Sequence, residues 1–478
     1  MPISPQSSYD ELAAENAQLK ASLVEALGLV EVLRGEIESL KAQVSATSKN
    51  SSKPPSSDGL AKPAPKSLRG KSGRKPGRPK GGPGVSLDLV ERPDVVVRHR
   101  PVRCAGCGVS LRDAAPVAVE RRQVFDVPPT RVKVTEHQVV SCRCGCGTVT
   151  SGQAPDYASK TVQYGPRLTG IAVYLFHGQF LSKARTAGAL TDLFGVRLVP
   201  STIGLMVKRV VRPLGGVLEG IRAAIAAAPV AHFDETGWRV EGACHWLHSA
   251  STAMFSLLTV HRRRGVAGMG HAGVLPAFTG IAVHDAWAPY DTYTHAQHAL
   301  CNAHLLRELI AVTETGRDVD RDWAKAAIDV VLALKKAVER AVADTPPGET
   351  IEVDILGFYT LRLAQIAEYG IEATAGRESA LRKKHNALAT RLRDRLADYV
   401  RYAHRPDLGV FFDNNAGERE IRMPKNRIKI SGSMRSLHGA RDFAAIRSYT
   451  TTAAKHGTGT LDALIQAAQG HPWTPQTT

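Results

Sequence analysis

The sequence predicts an α+β protein of several domains. It reads as an N-terminal coiled coil, a small Cys-rich zinc-finger-like module, a helical region, and a mixed core split by a helical insertion. Three observations lead there. Core positions repeat every seven residues over 9–44, five of the seven cysteines fall within 104–146, and from Pro229 onward helical texture gives way to short apolar runs. At 478 residues the chain has length for two or three domains. Lys and Arg number 62 against 45 Asp and Glu, a formal charge of +17, which favours a polyanionic partner. No uninterrupted apolar run of about 18 residues occurs, so no membrane span is expected. The N-terminus is acidic and heptad-patterned rather than basic then apolar, so no secretory signal is expected either.

In 9–44 one core position carries Leu12, Leu19, Ala26, Leu33 and Leu40, and the other Asn16, Leu23, Val30, Ile37 and Val44. β-Branched residues opposite Leu, with a single Asn, predict a parallel two-stranded coiled coil and hence a homodimer. The alternative is a single helix packed on the body of the protein. Residues 45–84 hold ten Lys or Arg against the lone Asp58 and almost nothing apolar, so a disordered basic linker is expected. Within it, Gly73-Arg-Lys-Pro-Gly-Arg-Pro-Lys80 resembles the Gly-Arg-Pro core of AT-hooks. That makes Arg74, Arg78 and Lys80 candidate DNA contacts; a generic basic tether to phosphates is the competing reading.

Residues 85–152 form the Cys-rich module. Cys104-Ala-Gly-Cys107 and Cys142-Arg-Cys-Gly-Cys146 bracket a stretch that alternates like strands over 117–140, a pattern suited to a tetrahedral structural Zn2+ site. Residues 160–228 read as helical. Ala184–Phe194, a Gly-containing turn and Ser201–Arg209 make a helix-turn-helix-like stretch, with Ser201 as expected N-cap. Simple helical packing fits that stretch equally well.

The core divides into 229–310, a helical insertion over 311–405, and 406–470. Two apolar runs end in acids: Pro229-Val-Ala-His-Phe-Asp234 and Gly280-Ile-Ala-Val-His-Asp285. A third acid, Glu418, follows the turn-forming Asp413-Asn-Asn cluster and opens an expected helix. Two strand-borne Asp and a late helical Glu suit a pair of divalent cations that clamp the attacking and leaving oxygens of a phosphodiester. Asp413 is a rival third ligand, while Glu420 should face away from Glu418.

These residues carry a resemblance. The zipper, the Ser-Lys-Asn-Ser-Ser-Lys-Pro-Pro-Ser-Ser-Asp-Gly segment at 48–59, the Cys-rich module, Asp234-Glu-Thr-Gly-Trp238 and Asp413-Asn-Asn…Glu418-Arg419 are together similar to the DDE transposases of the insertion sequence 66 family. The resemblance spans nearly the whole chain. It implies an RNase H-like core with Asp234, Asp285 and Glu418 as catalytic metal ligands, Mg2+ or Mn2+ as cofactor, and cleavage of transposon 3′ ends followed by joining to target DNA. It also implies double-stranded DNA and companion proteins of the same element as partners, and a bacterial cytoplasmic, nucleoid-associated location. The family has a Cys-x-x-Cys pair at each end of the Cys module, whereas the second knuckle here is Cys-x-Cys-x-Cys. Cys104 and Cys107 are therefore expected Zn2+ ligands, with Cys142 and Cys146 chosen to complete the site.

Lys425, Arg427, Lys429 and Arg435 follow Glu418 and form an expected DNA-tracking surface, the competing reading being a solvated basic face. Cys301-Asn-Ala-His304 is expected to support the core, and His232 and His284 to pack rather than act as bases. Two rivals to the transposase reading remain at this stage: a DNA-binding regulator without catalysis, and a nuclease that cuts without joining.

Overall fold

The heptad stretch is one unbroken helix, α1 (Pro5–Ser45), in the computed structural model, which describes residues 5–45, 87–128, 130–316, 318–346, 355–376 and 379–475. In the single chain its core positions lie open: Leu12, Leu19, Leu23, Leu33, Ile37 and Leu40 are all exposed. Toward its C-terminal end, Gly35 approaches Ser379 of the helical insertion. Residues 46–86 lie outside the described residues, and with them Arg74, Arg78 and Lys80.

The Cys module contains one short antiparallel hairpin, β1 (Ser141–Arg143) and β2 (Val149–Ser151). The strands expected within 117–140 are absent among the described residues, which run there as irregular chain. The physical reason is visible in burial. Val117, Val119, Val124, Val127, Val132 and Val134 are all exposed, so alternation without an opposing apolar surface builds no ladder.

Next come α2 (Pro166–Val173), a π-helical turn (Tyr174–Gly178), α3 (Lys183–Phe194), α4 (Pro200–Val211) and α5 (Gly215–Ala226). Ser182 caps α3 by accepting from Arg185 N, and Gly195 ends it at φ +69°. The start of α4 differs from expectation. Pro200 occupies the first turn and Val199 the cap position, because proline's fixed φ suits a helix start and its missing N–H is not needed there. Ile203, Met206, Val207 and Val210 bury one face of α4. Arg209 donates to the carbonyls of Ala468, Tyr164 and Tyr157, so it braces the packing rather than facing solvent.

The core sheet is built from β3 (Val230–Val240), β4 (Ala243–Ser251), β5 (Ser256–His261), β6 (Ile281–His284) and β7 (Gln297–Leu300), with α6 (Val266–Ala272) between β5 and β6. Its order is β5-β4-β3-β6-β7; β3 is antiparallel to β4 and parallel to β6. The β3–β4 hairpin turns on Glu241 (φ +53°) and Gly242 (φ +77°), the two left-handed positions a two-residue loop requires. The first and fourth strands of the core thus lie side by side.

After β7 come α7 (Asn302–Thr315), α8 (Asp318–Asp344), α9 (Leu356–Ala373), α10 (Ala380–Asp394) and α11 (Leu396–His404). The chain then returns to the core with α12 (Asn415–Ser431), α13 (Leu437–Lys455) and α14 (Thr460–Gln469). The insertion is not an appendage. Trp323, Leu334, Leu392 and Val400 share a buried core with Val283, Leu300, Leu305 and Leu309, which fixes β6 and β7 from the outside. A second core joins α2, α4, α5, α13 and α14 to Ala231, Phe233 and Leu257. A third packs Trp238, Leu247 and Val260 against Phe443. Among the described residues no helix is long and apolar enough to cross a membrane.

Candidate active site

The parallel ladder pairs Val230 with Ile281, Ala231 with Ala282 and His232 with Val283. Carrying the same offset two residues further sets Asp234 level with Asp285, one residue past the end of β6. Neighbouring strands run about 4.8 Å apart, so acids remote in sequence become neighbours in the interior of the sheet, where β6 ends. Each carboxylate is tied by one oxygen. Glu235 N donates to Asp234 Oδ1 at 2.8 Å, and Trp287 N donates to Asp285 Oδ1 at 3.1 Å. Among the described residues no other hydrogen bond or ion pair reaches either carboxylate, which leaves one oxygen of each free.

Asn414 brings the third acid. Its Nδ2 donates to Phe233 O at 2.7 Å, its Oδ1 pairs with His232 Nδ1 at 2.9 Å, and its backbone N donates to Cys301 Sγ at 3.2 Å. One buried amide thus joins β3 next to Asp234, the residue after β7 and the start of α12. Gly417 permits this, since a Cβ there would lie 2.9 Å from Asn414 Oδ1. Glu418 N donates to Asn414 O at 3.0 Å, placing Glu418 in the first turn of α12, half-buried. The rivals have other partners. Glu420 ion-pairs with Lys455 at 2.9 Å and accepts from Ser256 Oγ, and Asp413 Oδ1 accepts from Asn415 N at 3.0 Å.

Burial pushes the Asp234 carboxyl well above the usual carboxylate range; Glu235 adds to that push, Lys425 opposes it, and Asp285 and Glu418 add to it. Glu235, Asp285 and Glu418 thus add negative charge around Asp234, with Lys425 opposing them. Hard oxygen donors in mutual repulsion fit a divalent cation such as Mg2+. The fit is one of donor chemistry: among the described residues no three His, Cys, Asp or Glu side chains stand close enough to hold one ion.

The histidines next to the acids are packed. His284 stacks on Tyr290 at 4.1 Å and hydrogen-bonds His298, and burial pushes its imidazole down to about 3. Burial likewise lowers His232. The Cys301 thiol, fully enclosed, is pushed up to about 12 by burial, which suits the acceptor role it plays toward Asn414. His304, close enough to feel Asp285 and Glu418, is held below its ordinary value by burial.

Of the expected DNA contacts, Lys425 is half-buried and close enough to Asp234 to influence its titration, while Lys429 and Arg435 are exposed. Arg427 is placed differently. It is 8% exposed, donates to Gly432 O and lies over the Phe443 ring, so it braces the end of α12. In the Cys module all five thiols are free. Cys104 and Cys107 share one tight turn, whose amides favour the Cys104 thiolate, Cys107 N first. Cys144 and Cys146 share a second tight turn, where a hydrogen bond with Thr148 brings the Cys146 thiol down to about 7. Cys142 lies on β1 beside that turn, and among the described residues the two turns form no shared metal cluster.

A buried network behind the acids had no role assigned from sequence. Glu235 Oε1 accepts from Arg264 Nε (2.9 Å) and Nη2 (2.7 Å), and Oε2 accepts from Tyr290 OH at 2.6 Å. Glu235 and Asn414 both sit inside the motifs that drew attention, but only the tertiary structure supplies their partners.

The family described as "Transposase IS66 family" matches residues 161–442, more than half of the chain and all three acids. The chain belongs to the IS66 family of transposases. That membership carries a transposase role, with the DNA processing and DNA binding such a role entails. A family of unknown function (DUF6444) matches residues 2–88, which take in α1 and the whole basic segment 45–84. The Cys module falls between the two matched stretches. No curated protein matches the chain.

Proposed function

We propose that this transposase cuts transposon 3′ ends and joins them to target DNA at an RNase H-like active site formed by Asp234, Asp285 and Glu418. The observation that carries the reading is the shared position where β3 and β6 lie side by side. The β3–β6 register sets the two Asp together, and Asn414 fastens the helix bearing Glu418 to the same strand. The strand order β5-β4-β3-β6-β7, three antiparallel strands followed by two parallel ones, supports the fold assignment.

In the proposed reaction a water oxygen attacks the phosphorus at the transposon end, the bond to the flanking DNA breaks, and a 3′-hydroxyl is released. That hydroxyl then attacks a target phosphodiester in the same way. Bound Mg2+ or Mn2+ would make the attacking oxygen more nucleophilic and neutralise charge on the phosphate. The chain's own part is positional. Asp234 and Asp285 are each held through one oxygen by a backbone amide, Glu418 joins them from α12, and Lys425, two turns beyond Glu418, supplies a cation for a DNA phosphate. Lys429 and Arg435 extend that contact. The exposed heptad stripe of α1 pairs two copies, which lets one assembly hold two transposon ends. Cys104, Cys107 and two of Cys142, Cys144 and Cys146 would hold a structural Zn2+ once the two turns meet.

Asp285→Ala and Glu418→Ala should each abolish cleavage and joining while transposon-end binding persists in a gel-shift assay. Cleavage retained by both variants would refute the assignment.

A further inference from the structure

We propose that Arg264 is a positioning residue that holds Asp234 and Asp285 in one fixed relation, so that the pair can take up a divalent cation. The inference rests on the reading of these two acids as metal ligands.

Arg264 leaves the loop between β5 and α6, two strands away from β3 in chain order, yet it reaches both acids through their neighbours. On one side its Nε and Nη2 both bind Glu235 Oε1, and Glu235 N holds Asp234 Oδ1. On the other side its guanidinium carbon lies 3.8 Å from the centre of the Trp287 ring, and Trp287 N holds Asp285 Oδ1. The Trp246 ring, 5.0 Å away, confines the guanidinium further. Tyr290 closes the circuit: its hydroxyl binds the other Glu235 oxygen, and its ring stacks on His284, the residue before Asp285. One planar cation is therefore the common neighbour of the segments that flank both acids.

The chemistry argues for positioning rather than bulk charge balance. The Glu235 side chain is 2% exposed, and a carboxylate so enclosed needs a charge-assisted hydrogen-bonded partner. A lysine could supply the charge, but only a guanidinium donates along two N–H directions in its plane while an indole covers its face. Asp285 follows the last residue of a short strand, and its loop leads directly into the 3-10 turn Ala288–Thr292 that carries Tyr290. Without the brace, the Trp287 amide would be free to leave Asp285 Oδ1, and the pair would lose its preset spacing.

The test is Mn2+ affinity of the full chain, read by electron paramagnetic resonance of free Mn2+, beside end binding and 3′-end cleavage. Arg264→Lys and the double variant Arg264→Met/Glu235→Gln, which leaves no lone buried charge, are compared with wild type and Asp234→Ala. Both brace variants should bind Mn2+ at least tenfold more weakly and cleave more slowly at saturating DNA, with unchanged end affinity. Wild-type Mn2+ affinity in both brace variants, or full recovery in Arg264→Lys, would overturn the proposal. If Asp234→Ala itself kept Mn2+ binding and cleavage, the reading of the acids would fail instead.

Discussion

Asp234, in the proposed active site, works against stability. Its folded carboxyl is raised, chiefly by burial, so the folded chain holds that proton more tightly than the unfolded chain does. Its contribution is therefore favourable below the unfolded value near 3.9 and is lost as pH rises through the folded value. At neutral pH, without metal, the ionised group is a liability. Asp234→Asn should raise the melting temperature in chelator by roughly 2–4 °C per kcal/mol relieved, and Mg2+ should stabilise wild type but not the variant. An unchanged or lower melting temperature would contradict this. His177 has the opposite sign. Burial first, then Arg427, Arg447 and Lys183, push it down to about 3, and among the described residues neither ring nitrogen has a hydrogen-bond partner. Stability should therefore fall as pH drops from about 6.5 toward 3, the interval in which only the unfolded chain takes up this proton. His177→Phe, packed against Phe176 and Phe443, should flatten that decline in urea-unfolding midpoints measured from pH 7 to pH 5.

At the scale of elements, α1 and α12 carry the most specific expectations. The α1 stripe is exposed over successive heptads and matches the register of a zipper, so Leu23→Lys with Leu33→Lys should convert a dimer into a monomer at micromolar concentration. Sedimentation equilibrium measures this directly; a persistent dimer would place the interface elsewhere. In α12 the same helix serves two purposes on different faces. Glu418 and Lys425 lie toward the acids, whereas Glu420 reaches Lys455 and Arg427 reaches Gly432 and Phe443. Sequence spacing separates Glu418 from Glu420 correctly because a helix turns a residue two positions on away from its predecessor. It does not separate Arg427 from Lys425 and Lys429, because the packing partner Phe443 comes from another helix.

For the molecule as a whole, the charge of +17 bears on DNA through only some of its cations. Removing Lys425, Lys429 or Arg435 should each lower the magnitude of the salt slope of DNA binding by about 0.9, while Arg427→Ala should mainly lower thermal stability. Equal salt-slope losses for Arg427 and Lys429 would contradict the packing seen here. The pattern repeats across the chain. The helix over 9–44 and the core strands were legible because periodicity and short apolar runs are local signals, whereas the adjacency of Asp234 and Asp285 followed only from the fold that the family resemblance implies. The role of Asn414, the Arg264–Glu235–Tyr290 network and the burial of Arg209 were not, because each depends on partners remote in sequence. Alternation in 117–140 misled for the same reason: no apolar surface opposes it. The central claim is that three acids gathered where β3 and β6 lie side by side perform DNA cleavage and joining. Its most direct test is strand joining in Mg2+ or Mn2+ with labelled transposon 3′ ends and a supercoiled target, wild type beside Asp234→Ala. Joined product from wild type and none from the variant is the predicted result; equal joining by both would contradict it.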